Sequence, residues 1–260
     1  MFVQLTHGDI ILFMSAMPAD REVDRIRGVY QAYRKSRPAQ AKWDSGNRGN
    51  RAMLRERQRA IARCLSTQGY APLADSKVLE IGCGSGGILA NLVSLGARSE
   101  NLYGIDLLEE EIAVAERAYP DMHWHCANAE SLSFPNCFFD LVLLFTVFSS
   151  ILDTRMATNL AKEVHRVLRP GGAILWYDFR YNNPANPHVQ GIPRRRIRRL
   201  FPAFELRLGS ITLLPQLARR LGWGTAALYP ILAAFPPLRT HYLGLLRNGG
   251  QVHPSEDGSE

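Results

Sequence analysis

Cysteine is scarce and scattered. The 260 residues hold four, Cys64, Cys83, Cys126 and Cys137, with no CxxC pair among them. Isolated cysteines supply neither a disulfide framework nor a structural zinc site, and their free use points to a reducing compartment such as the cytosol. Long apolar runs are missing too. The stretch 10–14 is uncharged but only five residues long, has Asp9 beside it and no basic segment before it. It suits neither a membrane span nor a signal peptide, and with Met14 and Met17 as further candidate starts, residues 1–19 read as a disordered tail. Internal repeats and low-complexity segments are absent. Acidic side chains are outnumbered, 24 against 31 basic ones, so the formal net charge is +7 and the pI about 9.5. A basic surface draws anions, whether phosphorylated metabolites, acidic glycans, lipid surfaces or nucleic acid, without choosing among them. Composition is otherwise ordinary: 46% hydrophobic and 21% charged, in a chain long enough to bury a core as one domain with an appendage.

Periodicity divides the chain. Residues 20–36 show helical spacing through Val23, Ile26, Val29, Tyr30 and Tyr33, and an arginine-rich helix is expected over 53–65, together a helical cap spanning 20–69. From residue 77 strands and helices alternate: strands at 77–81, 102–105, 124–126, 141–145 and 173–177, and helices at 87–95, 109–118 and 158–168, the last ended by Pro170-Gly171-Gly172. The apolar runs at 141–145 and 173–177 are those of strands buried on both faces. This rhythm predicts an α/β doubly wound, mostly parallel sheet. Further on, 194–200 reads as a short basic helix, 205–213 and 242–246 as strands, and 214–238 as a helical insertion between them, broken by Gly222 and Gly224. The polar segment 248–260 reads as a disordered tail.

Chemistry concentrates at the strand ends. In Val78-Leu79-Glu80-Ile81-Gly82-Cys83-Gly84-Ser85-Gly86-Gly87 a strand runs through glycines into a helix, where the backbone can turn sharply and let a ligand close. Gly82, Gly84 and Gly87 satisfy the GxGxxG spacing of dinucleotide enzymes; Gly82, Gly84 and Gly86 satisfy GxGxG. Glu80 favours the second, because a carboxylate there would crowd a pyrophosphate. Asp106 ends the second strand, about 20 residues on, placed to accept hydrogen bonds from both hydroxyls of a ribose. The remaining stretches are Cys126-Ala127-Asn128-Ala129-Glu130-Ser131-Leu132-Ser133-Phe134-Pro135, Phe138-Phe139-Asp140-Leu141-Val142, and Glu163-Val164-His165-Arg166-Val167-Leu168-Arg169-Pro170-Gly171-Gly172.

Taken in order, these five stretches resemble the motifs of class I, Rossmann-like, S-adenosylmethionine-dependent methyltransferases across about residues 70–180, and Trp176-Tyr177-Asp178-Phe179-Arg180-Tyr181-Asn182-Asn183-Pro184 looks like a bacterial subgroup associated with small-molecule, secondary-metabolite and glycan pathways. The resemblance implies a seven-stranded sheet with an antiparallel seventh strand, a methyltransferase domain over 70–247, and S-adenosylmethionine as cofactor. It implies that Glu80, Gly82, Cys83, Gly84 and Gly86 hold the amino-acid half of the cofactor, that Asp106 and Leu107 lie at its ribose, and that Asn128, Ala129 and Phe145 border its adenine. Asn128 stands where the family has aspartate; its carbonyl oxygen can accept the same hydrogen bond.

Residues after the fifth strand line the crevice where such sheets bind ligands. Arg180, Tyr181 and Asn182 are therefore expected at the acceptor, with Asp178 and His188 as candidate bases for an oxygen nucleophile. The family's [DN]PP[FYW] run for methylating nucleic-acid amino groups is absent, Phe145-Thr146-Val147-Phe148 standing there, so the expected substrate is a small molecule or glycan, with an acidic one favoured by charge, and not nucleic acid. His123 and His125 share one strand face but lack further ligands for a metal. The run Arg194-Arg195-Arg196-Ile197-Arg198-Arg199, with the apolar 211–235 segment, leaves peripheral contact with the inner face of a membrane open for an otherwise cytoplasmic protein. Oligomeric state is not legible. Two alternatives remain: a catalytically silent methyltransferase-like partner subunit, and a nicotinamide oxidoreductase.

Overall fold

A computed structural model describes residues 19–37, 41, 44–184 and 186–249. Of the tail expected at 1–19, residues 1–18 lie outside the described residues and Ala19 begins a helix; most of the tail expected at 248–260 lies outside them too.

Two helices precede the sheet, α1 (Ala19–Lys35) and α2 (Arg48–Thr67). Asn47 caps α2, its side chain accepting from the Asn50 N–H at 3.1 Å, so the helix starts five residues before the hydrophobic pattern shows it. The core then runs β1 (Val78–Ile81), α3 (Gly87–Ala90), β2 (Leu102–Asp106), α4 (Glu109–Ala118), β3 (His123–Cys126), β4 (Phe139–Phe145), α5 (Thr154–Val167), β5 (Leu168–Phe179), α6 (Arg194–Leu200), β6 (Phe204–Leu213), α7 (Pro215–Arg220), α8 (Thr225–Ala233) and β7 (Arg239–Asn248). The seven strands form one sheet in the order β3-β2-β1-β4-β5-β7-β6. β1 to β5 pair in parallel, and β7 lies antiparallel between β5 and β6, the arrangement that the resemblance implies.

Alternation along the strands builds two cores. Leu79, Ile81, Val142, Leu144, Ile174 and Trp176 face α1, α5 and α6, while Val78, Leu143, Phe145, Leu175, Tyr177 and Leu245 face α2, α3 and α4. A third, small cluster of Met53, Leu213, Ala218, Tyr229 and Ala233 fastens α7 and α8 to α2.

Two expected elements differ. The helix expected over 87–95 is a single α-turn followed by a 3-10 stretch, Asn91–Leu95: the Asn91 amide donates back to the Gly87 carbonyl at 2.6 Å and the Ser94 hydroxyl to that of Asn91 at 2.7 Å, local bonds that compete with a regular helix. Pro170-Gly171-Gly172, expected as a helix-ending turn, is instead a bulged start of β5, with the register against β4 shifting between Phe139 and Leu141 and Gly171 at φ 77°. Asp153 caps α5, accepting from Met156 N at 2.6 Å, so α5 also begins earlier than its apolar spacing. Arg169 reaches Asp140 at 2.7 Å, and Glu163 accepts from the Leu132 N–H at 2.7 Å while paired with Arg166. Glu163 and Arg166 thereby staple α5 to the loop after β3, and Arg169 ties the start of β5 to β4.

Candidate functional site

The carboxyl ends of β1, β2, β3 and β4 converge. After β1, Gly82, Gly84 and Gly86 take φ values of 70°, 50° and 81°, left-handed conformations that favour glycine. The N–H groups of Gly82 and Cys83 both donate to the Ile105 carbonyl, at 2.8 and 3.0 Å, which ties the turn to β2. Asp106 completes the clasp: its Oδ2 accepts from Gly84 N and its Oδ1 from Leu108 N, each at 2.9 Å. Each oxygen keeps a lone pair for a further donor. Burial raises the Asp106 pKa against the pull of those N–H groups. The Leu107 carbonyl accepts from Arg27 of α1 at 3.3 Å. Asn128 folds an Asx turn, its Oδ1 accepting from Glu130 N at 3.0 Å, with Ala129 packed beside it on the core. Phe145 closes β4, stacked on Tyr177 at 5.6 Å.

Glu80 is fully buried. Its Oε2 accepts from Leu89 N at 3.0 Å, and its Oε1 has no hydrogen-bond partner. Burial pushes its pKa up to about 8, opposed by the Leu89 N–H and by the charge of Arg57 on α2. A buried carboxyl with one oxygen unmet, next to a glycine turn, is a receptor for a cationic or N–H donor.

The residues expected at the acceptor divide. Asp178 is 1% exposed; it accepts from Ser149 N at 3.0 Å and from Phe179 N at 2.8 Å, and burial pushes its pKa up to about 6. It anchors the loop that follows β4. His188 lies exposed on a turn whose backbone N–H donates to Asn186 at 3.1 Å. Arg180 donates to the carbonyls of Pro236 and Arg239, each at 2.9 Å, and stacks on Tyr181 and Tyr242. It braces the end of β5 against the turn before β7. Asn182 accepts from Gly191 N at 2.8 Å and closes a loop, and Tyr181 is 48% exposed. His123 stacks on Tyr103 at 4.4 Å and His125 meets the edge of Phe134.

Two features escaped the residue patterns. The first is the course of α1 across the strand ends. Glu22 accepts from Leu152 N at 2.6 Å, the Tyr30 hydroxyl lies 2.7 Å from Ser150 Oγ, Tyr33 donates to Asn186 at 3.0 Å, and Arg34 pairs with Glu111 at 2.7 Å. One helix thus touches the segments following β2, β4 and β5. Burial of the Tyr30 hydroxyl raises its pKa, and the charges of Asp178 and Asp106 add to the rise. The second is Thr146, a β-branched residue at φ 56°, a conformation that costs energy. The Tyr177 carbonyl holds its N–H at 2.7 Å, and its own carbonyl accepts from Ser150 Oγ at 3.0 Å. Helical spacing marked α1 as a packed element but carried no information about what it covers. Nothing in the sequence signals the backbone of Thr146.

Residues 78–172 match the family model described as a methyltransferase domain. The chain is 38% identical over 117 residues to the fatty-acid O-methyltransferase of Mycolicibacterium smegmatis, covering 44% of this chain and 41% of that protein. It is 28% identical over 184 residues to the phthiotriol/phenolphthiotriol dimycocerosates methyltransferase of Mycobacterium leprae, covering 67% and 64%. The match thus spans less than two thirds of either curated relative. Among solved structures, the fold is shared with the Burkholderia thailandensis 1,6-didemethyltoxoflavin-N1-methyltransferase, a structure with bound 1,6-didemethyltoxoflavin and S-adenosylhomocysteine, at TM-score 0.60 and 16% identity over 90% of this chain and 91% of that one.

Proposed function

We propose that this chain, whose residues 78–172 match a methyltransferase domain, is a class I S-adenosylmethionine-dependent methyltransferase that moves a methyl group from S-adenosylmethionine to an oxygen of an apolar, lipid-like small molecule. The observation that carries the cofactor is the clasp of Asp106 on the glycine turn beside the unmet oxygen of Glu80. An ammonium group satisfies that oxygen and draws the carboxyl into its charged form, whereas a pyrophosphate carries no donor for it. This favours S-adenosylmethionine over a nicotinamide dinucleotide. When bound, the cofactor supplies a sulfonium-activated methyl group for in-line displacement.

The chain's own residues then have separable tasks. Glu80 and the turn of Gly82, Cys83, Gly84 and Gly86 receive the amino-acid end; Asp106, with Leu107, accepts from the ribose hydroxyls; Asn128, Ala129 and Phe145 border the base. α1 closes over the strand ends and excludes water, and Asp178 holds the 146–150 loop through Ser149 N. Alignment of donor and acceptor then supplies much of the acceleration. The name of the Mycolicibacterium relative supports an oxygen acceptor of fatty-acid type, in preference to a glycan. A carboxylate acceptor arrives without a proton to lose, so Asp178 acts as a positioning residue and His188 need not reach the reacting oxygen. Arg180, Tyr181 and Asn182 form the wall beyond β5.

Calorimetric titration with S-adenosylhomocysteine, with NAD(H) alongside, tests the cofactor. Saturable binding of the first, weakened about tenfold to a hundredfold in Asp106→Ala by loss of charge-assisted hydrogen bonds, is expected. NAD(H) binding in its place would overturn the proposal, and labelled methyl transfer to long-chain carboxylates tests the acceptor.

A further inference from the structure

The insertion between β6 and β7 leaves an apolar surface uncovered. Residues 221–238 contain no charged side chain. α8 buries Thr225, Tyr229 and Ala233, the i, i+4, i+8 face that packs toward α2. Its other side is apolar as well: Leu228 is 45% exposed, Ile231 57%, Phe235 57%, and Trp223, just before the helix, 86%. A surface helix ordinarily turns polar residues outward, and grouped exposed apolar side chains with a polar rim mark an interaction surface.

The rim here is basic. The Arg48 guanidinium lies 4.0 Å over the Trp223 ring. Arg55, Arg59 and Arg63 recur every four residues along α2 and line a cleft of about 870 Å³, whose opposite wall includes Tyr229 and Pro230. All three are exposed, and their guanidinium groups form no hydrogen bond or ion pair among the described residues. Like charges at this spacing repel along a helix. The acid on the same wall, Glu56, is engaged by the Tyr229 hydroxyl at 2.6 Å. The arginines therefore add nothing evident to the fold, and an anionic surface offsets their repulsion.

We propose that this face docks on an anionic lipid bilayer, with Trp223, Leu228, Ile231 and Phe235 entering the interfacial layer and the arginines of α2 meeting the headgroup phosphates. Aromatic and aliphatic side chains flanked by arginine are suited to that layer, and no helix among the described residues is long and apolar enough to cross it. The basic partner of the insertion is α2, not the Arg194–Arg199 run: α6 packs through Ile197 and Phe201 on the opposite face of the sheet. The inference does not depend on the methyl acceptor.

Co-sedimentation of the full chain with phosphatidylcholine vesicles, with and without phosphatidylglycerol, tests it. Binding is expected only with the anionic lipid, falling about fivefold for each of Arg55→Gln, Arg59→Gln and Arg63→Gln and more than about tenfold in a Trp223→Ser, Ile231→Ser, Phe235→Ser variant. Trp223 should account for a blue shift in emission on binding, absent in Trp223→Phe. Unchanged S-adenosylhomocysteine affinity in these variants, taken with vesicle binding by the parent chain, keeps the outcome separate from the fate of the methyltransferase proposal. Equal binding to neutral vesicles overturns the docking proposal, as does undiminished binding by the triple-serine variant, or dimerisation through this face without vesicle binding.

Discussion

With the Leu89 N–H on one oxygen and nothing on the other, Glu80 keeps its proton to about pH 8 in the free protein. The unfolded chain releases that proton near the ordinary value of 4.5. Between those two values the folded state binds more protons, so stability falls as pH rises through the window and levels off above it. Glu80→Gln removes the slope, and its melting temperature should gain on the parent steadily from about pH 4.5 to 8, a trend that thermal unfolding across pH detects. Near neutral pH a cationic ligand group at Oε1 makes the carboxylate the favoured form. Binding of S-adenosylhomocysteine should therefore release a proton, read as a dependence of calorimetric heat on the buffer's ionisation enthalpy and lost in Glu80→Gln. No buffer dependence in the parent would remove Glu80 from the ammonium contact.

At the scale of the element, α1 is held by Glu22. Burial alone would raise the pKa of this carboxyl; the Arg25 guanidinium and the N–H groups of Leu152 and Asp153 outweigh burial and bring it below 4.5. A depressed folded pKa contributes stability that is present above the unfolded value and is lost as pH falls through the lowered one. Glu22→Gln should cost about 1–3 kcal/mol at neutral pH and flatten the acid limb of the stability profile, measurable by urea unfolding at neutral and acid pH. Because α1 bridges the segments after β2, β4 and β5, the same change should speed proteolysis within α1 and weaken retention of a bound cofactor more than its affinity in short titrations.

For the whole molecule, the β6–β7 pair supports both α2 and the insertion. A Cβ on Gly244 would stand 1.9 Å from the Arg207 carbonyl oxygen, a backbone atom that can move only by parting the strands. Gly244→Ala should cost about 3 kcal/mol and increase hydrogen exchange across β6, β7 and α8 together, while β1 to β4 stay protected. Uniform loss of protection would show that the sheet opens as one unit.

Much of this architecture was legible beforehand because it rests on local rules. Alternating apolar runs located the strands, the glycine turn and Asp106 fell at the ends of β1 and β2, and the motif order implied the antiparallel seventh strand. Helix starts were late at α2 and α5 because their caps, Asn47 and Asp153, precede the apolar spacing. The residues at and beyond the end of β5 were legible as a group but not as individuals: Asp178, within the strand, and Arg180 and Asn182, after it, form bonds to segments whose proximity no spacing encodes.

The sequence by itself determined the sheet, its parallel core and the glycine turn with Asp106 at the strand ends, since each depends on a short run of residues whose periodicity or backbone freedom is intrinsic. Only the tertiary structure decided that α1 lies over the strand ends, that one Glu80 oxygen is left unmet, and that the apolar insertion sits beside the arginines of α2 instead of those of α6. Those outcomes depend on which elements meet after long excursions of chain, and burial and pairing have no value until they do.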